Sequence, residues 1–200
     1  WAMVVLMLVS GSIFGSLVFS YLFLWTVSPQ VWPGGPGTPV DLPWPLGSAA
    51  VMLASAALVA WWHRRLGRLA DGAQVPPRGR ARLPDERQAP RQRPLRLALV
   101  AGAFLLCASI AAEVMGQHAS GLAPRDSAYG AAVYMVAALQ GFFVAVSACM
   151  GLYTAARSLA GRLWAQRRAS FDNTRLFWYY TGAQGLAGLL LVHGFPALAT

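Results

Sequence analysis

The run from Ala2 to Val27 contains no charged side chain. At 1.5 Å of rise per residue, about twenty helical residues cross a hydrocarbon layer of ~30 Å, so this run predicts one membrane-spanning helix. With no water in that layer, the backbone N–H and C=O groups must be paired within the segment, which a helix does by itself. The composition agrees: 56% of the 200 residues are hydrophobic and 12% are charged, and mean hydropathy is +0.48, whereas soluble domains carry about a quarter charged residues.

Four further apolar runs follow, so that the spans lie at about 2–27, 46–62, 97–117, 127–156 and 176–199. They predict an all-α integral membrane protein, a five-transmembrane-helix bundle forming one membrane domain over residues 1–200. The hydrophilic stretch from Trp61 to Arg96 orients it. It holds ten of the sixteen basic residues, and Pro76, Pro77, Pro84, Pro90 and Pro94 are spaced too closely for a continuous helix. A second basic stretch, Arg157 to Arg175, has five arginines, whereas the loop 28–45 has no basic residue and one acid, Asp41, and the loop 119–126 has one arginine. Basic loops stay in the cytoplasm. Loops 63–96 and 157–175 are therefore expected to be cytoplasmic, with the N-terminus cytoplasmic and the C-terminus periplasmic, in a multi-pass protein of a bacterial inner membrane.

The net charge of +9 could indicate nucleic acid, but the arginines flank apolar runs and no aromatic residues interleave with them, so no nucleic-acid partner is expected. All the basic residues are arginine, a compositional bias of the source. The chain opens on an apolar run without Met or a basic leader segment, so it is expected to be a piece of a longer polypeptide.

Small residues recur at helical spacing. Gly11-x-x-x-Gly15, with Ser12, Ser16 and Ser20, marks one face of the first span; Gly141, Ala145 and Cys149 mark the fourth; Gly182, Gly185 and Gly188 follow the cluster Phe177-Trp178-Tyr179-Tyr180 in the fifth. Such faces allow close helix packing or contact with lipid. Tyr21, Trp25, Trp61 and Trp62 suit interfacial aromatic belts. Gln140, Tyr134, Tyr179, Tyr180 and Gln184 are expected to hydrogen-bond between helices. Glu113 is the one carboxylate inside an apolar run. It either serves a function within the membrane or reaches the interface about two turns away, and both readings stay open.

Residues for chemistry are few. His63, His118 and His193 stand at or near span ends, Cys107 and Cys149 lack metal-ligand spacing, and no phosphate loop, nucleophile elbow or carboxylate pair occurs. No catalytic, metal or cofactor-binding residue is assigned.

Three segments resemble subunit III of the haem–copper cytochrome c oxidases, in the form fused behind subunit I in some bacteria. Leu8-Val9-Ser10-Gly11-Ser12-Ile13-Phe14 through Phe19-Ser20-Tyr21-Leu22-Phe23 is similar to the family helix that begins Ser-Glu-Val. Leu139-Gln140-Gly141-Phe142-Phe143-Val144 is similar to the family's Phe-His-Gly-Leu-His-Val. Phe171-Asp172-Asn173-Thr174 with Leu176-Phe177-Trp178-Tyr179-Tyr180 falls where the family has Tyr-Trp-His-Phe-Val-Asp. The family's intramembrane Glu falls on Gly11, its two histidines on Gln140 and Phe143, and its later His and Asp on Tyr179 and Gly182. The family's carboxylate role is therefore not carried over, and Glu113 does not occupy its position.

The resemblance implies a non-catalytic accessory module that packs on the catalytic oxidase subunit I and other oxidase subunits, holds phospholipid and supports proton uptake. Haem and copper are then expected only in the partner, or in an upstream catalytic part of the same polypeptide. Two other readings compete: a small transporter or channel with Glu113 and Gln140 facing a pathway, and an oxidase assembly factor acting through the basic loop.

Overall fold

Hydropathy and helix length decide this architecture. The computed structural model describes residues 1–32, 43–71, 89–160 and 169–198, and in them it is all-helical. The helices are α1 (Ala2–Val27), α2 (Pro43–Asp71), α3 (Ala89–Ala119), α4 (Ala128–Leu159), α5 (Ala169–Leu189) and α6 (Phe195–Leu198), with a π-helical turn, Leu190–Gly194, joining the last two. Helices α1 to α4 each contain a stretch long and apolar enough to cross a membrane. The chain is thus a multi-pass membrane protein with at least four such helices.

Several helices run past the apolar runs read from the sequence. Helix α2 opens at Pro43 and continues through Arg64 and Arg65 to Asp71, and α3 begins at Ala89. Both ends of the expected 63–96 loop are therefore helical. Proline is compatible with the first turn, where Pro43, Pro45 and Pro90 stand, because the N–H that it lacks has no intrahelical partner there. Helix α5 likewise starts at Ala169 inside the expected 157–175 loop. The rest of these basic loops, and the Pro/Gly-rich segment with Asp41, lie outside the described residues.

The α3–α4 connection shows how local chemistry sets a boundary. Gly121 takes a left-handed φ of 72°, and the Leu122 N–H reaches the Gln117 carbonyl at 3.2 Å, closing α3 with a Schellman-type turn. Ser127 then caps α4, its Oγ accepting from the Gly130 N–H at 3.0 Å.

Helices α2, α3, α4 and α5 form the packed body, each against its chain neighbour and α5 also against α2, while α1 lies along α4 and α5. The central core joins Met52 and Val59, Ala103 and Leu106, Val144, and Trp178. A second cluster, Ala98, Leu99, Ala155 and Phe171, fills the end nearer the basic segments. The third, at the opposite end, is aromatic, with Tyr21, Trp32 and Tyr129 packed edge to face.

The π turn has a cause in the sequence. Pro196 has no N–H to return to Val192, so that carbonyl is free to accept from elsewhere. The hydroxyls of Tyr21 and Tyr129 donate to it over 3.5 and 3.4 Å. The break in α5 thus ties α1 and α4 together. Only Ser10 and Tyr21 of α1 are buried.

Candidate functional site: a buried polar crevice

Glu113 and Gln117 stand four residues apart on α3 and so share a face. The Gln117 Nε2–H donates to Glu113 Oε1 at 3.4 Å. Opposite them, Gln140 of α4 donates through Nε2 to the Thr181 carbonyl of α5 at 3.1 Å. Glu113, Gln140 and Gln184 line one narrow crevice, closed by Phe14, Val136 and Leu189 and floored by Gly185 and Gly188. Four helices, α1, α3, α4 and α5, meet at this point.

The glycines make the crevice possible. A Cβ on Gly185 would run into Gln140 Nε2 and would lie 2.7 Å from the Met52 sulfur, and one on Gly188 would lie 3.1 Å from Val136. Helix α5 therefore sits close enough to α4 for amide and backbone to bond.

The four polar side chains are 4–6% exposed, so each has exchanged water for protein. The exchange is incomplete: Oε1 of Gln117, of Gln140 and of Gln184 has no hydrogen-bond partner. Among the described residues Glu113 makes no ion pair; the ion pair present there joins Arg175 to Asp172 at 4.0 Å. The crevice has no space for a water-sized molecule. It is an acceptor-rich, narrow site.

The other residues singled out from the sequence scatter. Trp178 is the centre of the core, fully buried, with its indole N–H on Ser55. Gly11 lies where a Cβ would be 3.7 Å from the Tyr180 hydroxyl, and Gly141 where one would be 3.8 Å from Ile110. Gly182 is buried beside open space. Gly15, Ser16 and Ala145 are exposed on the outside of the bundle, and Ser16 bonds back to the Ser12 carbonyl of its own helix. Tyr134 donates to the Leu122 carbonyl at 3.0 Å. Tyr179 is at the surface. His118, Cys107 and Cys149 are exposed as well. Among the described residues no group of three or more His, Cys, Asp or Glu could hold a metal ion.

Gln117 escaped the sequence reading, although its place four residues after Glu113 is itself the signal that would have found it. The pairing of Ser55 with Trp178 had no such signal, because it depends on how α2 and α5 meet.

No protein-family model matches the chain, and no curated protein matches it either.

Proposed function

We propose that this chain is a non-catalytic, subunit III-like module of a terminal cytochrome c oxidase in a bacterial inner membrane. It packs on the catalytic subunit, holds phospholipid and supports proton uptake during aerobic electron transport. Haem and copper belong to the partner or to an upstream part of the same polypeptide. In this reading α5, continued through the π turn to Leu198, is a fifth span, so that the N-terminus is cytoplasmic and the C-terminus periplasmic.

The observation that carries the proposal is the meeting of the three segments that bear the resemblance. Gly11 of α1 faces the Tyr180 hydroxyl of α5, and the Tyr180 ring stands 6.0 Å from the Phe143 ring of α4. Segments far apart in sequence that resemble one family's helices thus lie side by side, which supports reading them together. The exposed apolar length of α1, with Leu8, Ile13 and Phe19 outward, supplies surface for a partner helix and for lipid.

The transporter reading draws on Glu113 and Gln140 lining one crevice. The narrowness of that crevice, without space for a water-sized molecule, favours the accessory module over a pathway. The assembly-factor reading rests on a basic loop that lies outside the described residues.

The test is purification in mild detergent through a tag after Thr200, followed by a reduced-minus-oxidised visible spectrum and identification of what accompanies the chain. Haem a bands with a stoichiometric catalytic subunit, separate or covalently upstream, are expected. A colourless preparation with no large partner overturns the proposal.

A further inference from the structure

The hydrogen-bonding groups around Glu113 do not balance. Gln140 gives one of its two amide N–H groups to the Thr181 carbonyl. Turning that amide over would set oxygen against oxygen, so its orientation is fixed and Oε1 is the atom left over. Gln117 has spent an N–H on Glu113 itself. The amide oxygens of Gln117, Gln140 and Gln184 are all left without a donor.

An ionised Glu113 adds two more acceptor oxygens to this set. Buried acceptors without donors are costly, and an intramembrane charge without a partner more so. Among the described residues no charged group besides Glu113 lines the crevice: α1 contributes Phe14, α4 Val136 and Gln140, and α5 Gln184, Gly185, Gly188 and Leu189. Nor is there room for water to supply the missing donor. The one occupant that needs no space is a proton.

We propose that the crevice is an intramembrane proton-binding site, in which Glu113 is neutral at neutral pH and donates its O–H to an amide oxygen of Gln140 or Gln184. A single proton turns the carboxyl from an acceptor into a donor and leaves the crevice without net charge. Glu113 then exchanges its proton only when the crevice loosens, which makes it a slow, gated site. The inference stands on these residues and is independent of the oxidase assignment.

The sequence makes the test clean, because the chain holds two glutamates, Glu86 and Glu113. The full chain, labelled with carboxyl-13C glutamate and reconstituted in lipid vesicles, is examined by infrared spectroscopy at neutral pH. Half of the label is expected as protonated carboxylic acid and half as carboxylate. The acid band persists in E86Q, disappears in E113Q and shifts in Q140L or Q184L, which change its acceptors. The unsubstituted chain already decides the main point: label found wholly as carboxylate overturns the proposal. An acid band that survives E113Q overturns it too, as does a band that vanishes when sodium replaces choline in the buffer, since a metal cation would then be the occupant.

Discussion

The indole N–H of Trp178 donates to Ser55 Oγ over 3.0 Å, and the same hydroxyl donates to the Gly102 carbonyl over 2.9 Å. One serine on α2 thereby holds α5 on one side and α3 on the other. The Trp178 ring fills the space left by two glycines, since a Cβ on Gly102 would be 3.1 Å and one on Gly151 2.8 Å from it. The ring and its N–H are satisfied by different helices, and this fixes how all four pack.

Removing Ser55 is therefore expected to cost more than one average interhelical bond in a membrane protein, which is worth about 0.6 kcal/mol. Ser55→Ala leaves a buried indole donor without a partner, at about 1–3 kcal/mol. Trp178→Ala opens a cavity and costs about 3–5 kcal/mol. Thermal unfolding in detergent, read by circular dichroism, checks both, and the double substitution should cost less than the sum of the two.

Glycine substitutions should separate close approaches from open faces. A Cβ on Gly116 would lie 2.6 Å from Trp44 Cβ, an atom next to backbone that has little freedom to move. Gly116→Ala and Gly151→Ala are expected to destabilise the chain by about 1–3 kcal/mol through overpacking. Nothing lies within 4 Å of a Cβ on Gly15. Gly15→Ala is expected to be neutral or to stabilise α1 by up to about 1 kcal/mol. The same unfolding assay ranks the three.

That contrast explains what the sequence could disclose. Charge-free runs of sufficient length fix helices, because few other backbone structures survive in hydrocarbon, and so four of the five expected spans were legible. The Gly11-x-x-x-Gly15 pattern identified a face of small residues but not what the face meets, and its Gly15 and Ser16 turn outward. The tight helix contacts use Gly185, one of the recurring glycines of the fifth span, together with Gly102, Gly116 and Gly151, which belong to no repeated motif. Glu113 stood out by composition alone. Its surroundings did not, because Gln140 and Gln184 reach it through tertiary packing of α4 and α5, which no local spacing encodes.

Arg96 should prove to be a helix cap as well as a membrane-edge charge. Its Nε–H donates to Ser158 Oγ and an Nη–H to the Ser158 carbonyl, both at 3.1 Å. Ser158 is in the last turn of α4, where carbonyls lack intrahelical donors and a cation is favoured. Arg96→Ala is expected to cost about 1–2 kcal/mol. Arg96→Lys should recover part of this, since it keeps the charge but not the two-pronged donor. The loss should show as faster proteolysis at the Arg157–Ser170 end, where Arg157 also bonds Ser170 Oγ at 3.0 Å.

The orientation follows from the arginine distribution and can be tested one loop at a time. Ten arginines lie between Trp61 and Arg96, and one, Arg125, lies between α3 and α4. Because arginine is costly to translocate in short loops, the proposed orientation holds the first segment in the cytoplasm and has α3 carry the second across. A chain with Cys107 and Cys149 replaced by serine offers a background for single cysteines. In that background Arg125→Cys is expected to react with a membrane-impermeant maleimide in intact spheroplasts. Gly79→Cys should react only in inverted vesicles or after permeabilisation. The reverse pattern would place the basic segments outside. Reaction of both from one side would mean that α3 does not cross, and would undo the span assignment together with the orientation built on it.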